Sequence, residues 1–162
     1  MQTQAQKPLI AQPAPPKSWT WWGLLILALL LAVDLGVVIY CLACLAGQSH
    51  LSHPNYWPGQ WIALPFIVIA LLASGYAMFD QKIRSATWTV GANAICCIAI
   101  IALTAVFAFR YDHFDQSMNN AMNRKFILYL FIELSVLTFM CTLINYLYVR
   151  TLKMLKTKFT IN

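Results

Sequence analysis

The chain has 162 residues, of which 60% are hydrophobic and 10% charged, and its formal net charge is +6. An ordinary soluble domain carries about 25% charged residues. This composition therefore excludes a single core wrapped in a water-facing surface. It favours a chain whose partner is the lipid bilayer, and we expect no nucleic-acid partner.

Four apolar stretches dominate the chain. Residues 1–18 are polar and rich in Gln and Pro, and we expect them to be disordered. The apolar stretches follow at residues 21–46, 61–79, 88–109 and 126–149. Each has about the 20 residues that a helix needs to cross the hydrocarbon core. The sequence therefore predicts an all-α integral membrane protein, with residues 19–149 forming an antiparallel, up-down bundle of four transmembrane helices.

The basic residues predict how this bundle is oriented. Eight bases would fall on one side of the membrane: Lys7, Lys17, Lys82, Arg84, Arg150, Lys153, Lys156 and Lys158. The other three, Arg110, Arg124 and Lys125, would fall on the opposite side. Short loops rich in Lys and Arg remain in the cytoplasm, so both termini are predicted to be cytoplasmic.

Residues 150–162 form a basic tail that continues a helical pattern. Its four bases, Arg150, Lys153, Lys156 and Lys158, are candidates for contact with anionic lipids of the inner leaflet. Each base near such a surface contributes about 1 kcal/mol. The alternative is a simple cluster of charges that stops translocation of the last helix.

Small and hydroxyl-bearing residues mark candidate packing faces. Close approach of backbones and interhelical hydrogen bonds hold helices together in lipid, where the hydrophobic effect between them is weak. The strips, in chain order, are Ala28, Ala32 and Gly36; Ala70 and Ser74; Ala92, Cys96 and Ala99; and Ser135, Thr138 and Thr142 with Asn145. The last strip should turn inward, because lipid cannot satisfy its polar groups.

Two acids lie at membrane depth. Asp34 and Glu133 each cost about 2.5–3.5 kcal/mol on insertion scales, and no base lies within any of the four stretches. Counting the rise along the helices puts both acids in the outer half of the bilayer. They are either a cation or proton site or two neutral carboxyl groups that hold helices in register. Asp34 lies on the opposite side of its helix from Ala32 and Gly36, so this helix needs two different neighbours.

A second polar layer is predicted nearer the cytoplasm. Asn93 and Asn145 both fall about 8–11 Å from the cytoplasmic ends of their stretches. We expect them to contact each other, with Ser74 nearby, in a structural role.

Positive signs of catalysis are lacking in the sequence. It contains no nucleophile–base pair, phosphate-binding loop or zinc-helix motif, so we expect no enzyme, cofactor or metal site. Asp112, His113 and Asp115 match no strong metal-ligand spacing. The five cysteines all lie within the apolar stretches and should pack as small apolar residues.

Part of the chain resembles a known family. The similarity covers residues 55–103: the NYWPGQW segment Asn55–Trp61, Ala73–Gly75 and Gly91–Asn93. These segments, with four short-looped spans, resemble the membrane-spanning four-domains subfamily A (CD20-like) proteins. MARVEL-type proteins share the topology without a sharp signature. The resemblance implies an oligomeric protein of the plasma membrane or of vesicles that associates with receptors or channels.

The sequence thus favours a non-enzymatic adaptor or organiser that associates with itself or with other membrane proteins. One alternative is a component of a cation or proton channel that uses Asp34 and Glu133. Another is an accessory subunit of a larger membrane complex.

Overall fold

The computed structural model describes residues 18–47, 59–80, 82–110 and 124–160, with side chains as far as residues 43 and 157 in the first and last of these ranges. These residues form four helices: α1 (Trp19–Gly47), α2 (Gly59–Asp80), α3 (Ile83–Phe109) and α4 (Arg124–Thr160). Residues 1–17 of the predicted tail (residues 1–18) and both longer loops lie outside the described residues.

All four helices are long and apolar enough to cross a membrane. The candidate spans are Trp19–Ala43, Gly59–Asp80, Ile83–Phe109 and Lys125–Thr157. Three of the four predicted apolar stretches lie inside these spans. The first, residues 21–46, lies inside α1 but extends three residues beyond Ala43. Helix α2 continues through Pro65, its seventh residue, which has no N–H group to donate to the carbonyl of Trp61 one turn earlier.

The helices form an antiparallel bundle in which each packs against two neighbours. Helix α1 contacts α2 and α4, and α3 contacts the same two helices, with α2 and α4 nearly diagonal. Two hydrogen bonds define the direction of α3 against α4: Thr104 bonds Ser135, and Thr89 bonds Asn145. From the first pair to the second, the residue number decreases on α3 and increases on α4. The two helices therefore run in opposite directions.

The buried side chains form two clusters. The larger is apolar and contains residues from all four helices, among them Leu31, Ile67, Ile100 and Leu134. The smaller lies at the end of the bundle where α2 connects to α3. It contains Leu24, Met78, Ala86, Tyr148, Val149 and Leu152. We call this the basic end, because Lys82, Arg84, Arg150, Lys153 and Lys156 are exposed there.

Helix α4 is the longest, with 37 residues. At a rise of 1.5 Å per residue it is about 55 Å long, against about 30 Å for a hydrocarbon core. Helix α4 therefore includes the basic tail as far as Thr160, so this part of the tail is not a separate element. Leu152 is the last buried residue among the side chains described up to residue 157, so the turns that follow it project beyond the bundle.

The outward surface is apolar along all four helices. Its large exposed side chains include Ile26, Leu72, Ile98 and Val136. Exposed tryptophans lie near both ends: Trp19, Trp22 and Trp88 at the basic end, and Trp61 at the other. Trp is enriched at the two boundaries between membrane and water, so this distribution fits a bundle that crosses a bilayer.

Candidate functional site

A single contact fixes the register of α1 against α4. A Cβ atom built on Gly23 would lie 3.4 Å from Cγ2 of Ile144. Asp34 lies eleven residues after Gly23, and Glu133 lies eleven residues before Ile144. Eleven residues are about three turns, or roughly 16 Å. Because the helices are antiparallel, both steps lead in the same direction, and the two acids reach one level on the same side of their helices.

The two carboxyl groups lie at one level beside the seam between α1 and α4. They are close enough to interact electrostatically. Asp34 is only 7% exposed, on the inner side of the seam, and its Oδ2 atom is buried with no hydrogen-bond partner among the described residues. Glu133 is exposed on the outward side, between the exposed apolar residues Ile132 and Val136. We call these two residues the acid pair.

A second polar layer connects α2, α3 and α4 nearer the basic end. The Asn93 amide donates to the Ser74 hydroxyl at 3.1 Å, which joins α3 to α2. The Asn145 amide donates to the Thr89 hydroxyl at 2.9 Å, which joins α4 to α3. All four side chains are buried.

The pairing in this layer differs from the predicted contact between Asn93 and Asn145. Neither Asn accepts a hydrogen bond from the other, since the Oδ1 atoms of both are buried and unpartnered. A side-chain amide donates to whatever acceptor the neighbouring helix presents, and hydroxyl groups of Ser74 and Thr89 are in reach. Ser74 is a member of the layer through its hydrogen bond with Asn93.

A third group of polar contacts joins α3 to α4, farther from the basic end than the layer of Asn93 and Asn145. The hydroxyl groups of Thr104 and Ser135 lie 2.9 Å apart. The single proton of the Thr104 hydroxyl group is also within reach of two carbonyl groups, that of Phe131 on α4 at 3.1 Å and that of Ile100 on α3 at 2.8 Å. Thr138 and Thr142 face inward as well, but their hydroxyl groups donate to carbonyl groups of α4 itself. Only Ser135 and Asn145 of this predicted strip therefore make hydrogen bonds to another helix among the described residues.

Sequence reasoning missed Thr89 and Thr104. Threonine is common in transmembrane helices, and neither residue lies in a small-residue strip. The spacing of these residues could have indicated their role. Thr89 lies four residues before Asn93, and Thr104 lies eleven residues after it. Both spacings return to nearly the same face of an α-helix.

The small-residue strips divide between the interior and the outward surface. Ala70, Ser74 and Cys96 are buried, and Ala92 and Ala99 are half-buried, so the α2 and α3 strips lie inside the bundle. The α1 strip turns outward along its length. Ala28 is buried, Ala32 is exposed, and Gly36 is exposed with no heavy atom within 4 Å of a Cβ atom built on it.

The basic residues of α3 and α4 lie close together at the basic end. Ile83 packs with the cluster that holds Tyr148 and Leu152, which places Lys82 and Arg84 beside Arg150 and Lys153. Lys82 Nζ lies 3.2 Å from the Asp80 carboxylate, and this pair is solvent-exposed on the lysine side. The side chain of Lys158 lies outside the described residues. Exposed bases at one level can contact lipid phosphate groups together.

Neither a metal site among the described residues nor a similarity to known proteins indicates a function for this chain. Within the part of the chain that the structure describes, no group of three or more His, Cys, Asp or Glu side chains could hold a metal ion. No family model matches the chain, and no curated protein or solved structure gives a significant match.

Proposed function

We propose that this chain is a non-enzymatic, four-pass membrane protein that organises assemblies in the bilayer. It associates with further copies of itself through the outward face of α1. The observation that carries this proposal is the position of Gly36, at the centre of that face with open space around it. A glycine there gives a second helix close access to the backbone of α1, as small residues do in transmembrane dimers.

The distribution of polar groups supports this role. The amides and hydroxyl groups that join α2, α3 and α4 are buried and serve the bundle itself. Apart from the acid pair, the outward surface at membrane depth offers chiefly apolar side chains, with small residues at Ala32 and Gly36 on α1 and at Gly91, Ala102 and Ala105 on α3. Association through packing is the interaction that such a surface permits.

The charge distribution supports an orientation for this assembly. The basic end would face the cytoplasm with both termini, since cytoplasmic loops carry the excess of Lys and Arg. The bases of α4 would then contact anionic lipids of the inner leaflet. The resemblance to CD20-like proteins agrees with an oligomer of the plasma membrane or of vesicles.

A single substitution tests the proposed interface. Gly36→Leu should weaken self-association in phosphatidylcholine vesicles by about tenfold, because the added side chain separates the two backbones. Energy transfer between fluorescently labelled copies, measured over a range of protein-to-lipid ratios, gives the dissociation constant. The fold should be unaffected, since nothing lies within 4 Å of the new Cβ atom.

The matched control is Gly91→Leu on α3. Gly91 is also an exposed helical glycine with no heavy atom within 4 Å of a built Cβ atom. This variant should associate as the unsubstituted chain does. Equal association of both variants would overturn the assignment of this interface to α1.

Conduction of cations or protons through one bundle is less well supported. On α1 and α4, the buried residues between the acid pair and the Asn145 layer are Leu31, Ala28, Leu24, Leu134 and Cys141, with Thr138 bonded to its own helix. An ion path needs polar groups or water along its length. If the chain conducts ions, Asp34→Asn should abolish a flux in vesicles that the unsubstituted chain sustains.

A further inference from the structure

Among the described residues of α1, α2 and α4, no Lys, Arg or His lies at the level of the acid pair. Helices α1 and α2 contain no Lys, Arg or His. On α4 the nearest base is Lys125, eight residues from Glu133, which is about 12 Å along the helix. Arg84 lies in the first turn of α3, and Arg110 follows its last residue. Arg110 is six residues after Thr104, and Glu133 is two residues before Ser135, the partner of Thr104. Arg110 therefore lies about 6 Å beyond the level of Glu133, on the helix that is diagonal to α1. An acid at membrane depth is costly, and such residues pair with another group or with one another.

Two features of the acid pair suit a hydrogen-bond donor that approaches from the lipid. The Glu133 side chain is exposed on the lateral surface of the bundle, in apolar surroundings. Asp34 is more than nine-tenths buried, its Oδ2 atom has no hydrogen-bond partner among the described residues, and its carboxyl group interacts electrostatically with Glu133. A donor that enters the seam from the lipid would therefore meet one exposed carboxyl group and one buried acceptor.

We propose that the α1–α4 seam binds a transmembrane helix of a different membrane protein, one that carries a single Lys or Arg at the depth of the acid pair. The base would form a charge-assisted hydrogen bond with Glu133 and reach Oδ2 of Asp34. This inference rests on the proposed role as an organiser, and it names the chemistry of the second partner.

The chemistry of the seam favours this occupant over two others. A second copy of the chain brings no base to this depth, so it cannot supply the missing charge. A metal ion requires four or more ligands, and the described residues hold no suitable group of three. A helix that carries a base delivers its charge from within the membrane.

The proposed seam is separate from the self-association face. Asp34 and Gly36 are two residues apart, and two residues turn an α-helix by about 200°. Glu133 lies on α4, next to the side of α1 that carries Asp34. One molecule can therefore bind a further copy and the base-bearing helix at once.

A designed probe tests this proposal. The probe is a 21-residue Leu/Ala transmembrane peptide, about 20 residues being the length that spans the core, with one Lys near its centre. It is compared with a peptide that has Leu at that position. Both are labelled and mixed with the full chain in phosphatidylcholine vesicles, and energy transfer reports binding. The Lys peptide should bind about tenfold more tightly than the Leu peptide.

Two conservative variants locate the binding. Glu133→Gln keeps the shape of an exposed side chain, so it should fold normally and lose most of the preference for the Lys peptide. Asp34→Asn should reduce the preference as well, and circular dichroism verifies that both variants remain helical. Moving the Lys by seven residues, about 10 Å, should also remove the preference.

Equal binding of the Lys and Leu peptides to the unsubstituted chain would overturn the proposal. So would an unchanged preference in Glu133→Gln. If the preference is absent while Gly36→Leu still weakens self-association, the organiser role stands and only this inference fails. If neither the peptides nor further copies associate with the chain, both proposals fail.

Discussion

Thr104 makes one of the two side-chain connections between α3 and α4 among the described residues. Its hydroxyl group lies 2.9 Å from that of Ser135 and 3.1 Å from the Phe131 carbonyl. Thr104→Val keeps the shape of the side chain but removes these interactions. The free energy of unfolding should fall by about 0.6–2 kcal/mol, the range of interhelical hydrogen bonds in membranes. Reversible unfolding in mixed micelles with increasing sodium dodecyl sulfate measures the change.

Thr87→Val is the control for this substitution. Thr87 is exposed on the same helix, and its hydroxyl group donates to the Ile83 carbonyl of α3 itself. Its loss should change the free energy of unfolding by much less. If both variants were equally destabilised, the Thr104–Ser135 contact would contribute nothing specific to the bundle.

At the scale of single residues, the sequence predicted which polar groups lie at membrane depth but not their partners. Helical rise alone puts Asn93 at the level of Asn145. Whether the two amides bond each other depends on side-chain direction and on competing acceptors, here Ser74 and Thr89. Those details follow from the packing of whole helices, which spacing along one helix does not specify.

The register of α1 against α4 is the element-scale feature on which the acid pair depends. Replacing Gly23 and Ile144 by Cys, in a chain without its native cysteines, should give rapid oxidative cross-linking, because the two positions are in contact. A pair at Gly23 and Leu137 should cross-link far more slowly. Leu137 lies seven residues from Ile144, about 10 Å along the helix. Electrophoresis without reductant measures both rates.

Preferential cross-linking of Gly23 with Leu137 would contradict this register. The two acids would then lie about two turns apart, and a single base could not reach both. The result would therefore also remove the structural basis of the proposed docking seam.

The existence of the four helices was predictable, while their ends and faces were less so. About 20 consecutive apolar residues are enough to predict a span. Helix α3 begins at Ile83, five residues before the predicted stretch. The apolar pattern did not extend to these first turns, because they contain the polar residues Arg84, Ser85 and Thr87. Val33 is exposed and Val38 is buried, although they are the same residue type. Where lipid replaces water, hydrophobicity does not distinguish the outward face from the core.

The basic end is a property of the whole molecule, because it combines residues of α3 and α4. Replacing Arg150, Lys153 and Lys156 together by Gln should reduce the preference for phosphatidylserine, since each base near an anionic surface contributes about 1 kcal/mol. Native mass spectrometry of bound lipids reports that preference. Replacing Arg110 and Lys125 at the opposite end should leave it unchanged, and an equal loss there would refute selective contact at the basic end.

Charge and helix number together give the central claim about the whole molecule. Four antiparallel helices return the chain to the side on which it started, and the excess of bases lies on that side. We therefore expect both ends of the described chain, and the α2–α3 connection, to be cytoplasmic.

The most direct test is labelling of single cysteines with a membrane-impermeant thiol reagent in intact cells, in a chain without its native cysteines. Cys in place of Ser52 or Ser117 should react in intact cells. Cys in place of Ser18, Arg84 or Thr157 should react only after the membrane is permeabilised. Reaction of the Ser18 and Thr157 positions on opposite sides of the membrane would contradict the four-pass arrangement, and reaction of all three latter positions in intact cells would contradict its orientation.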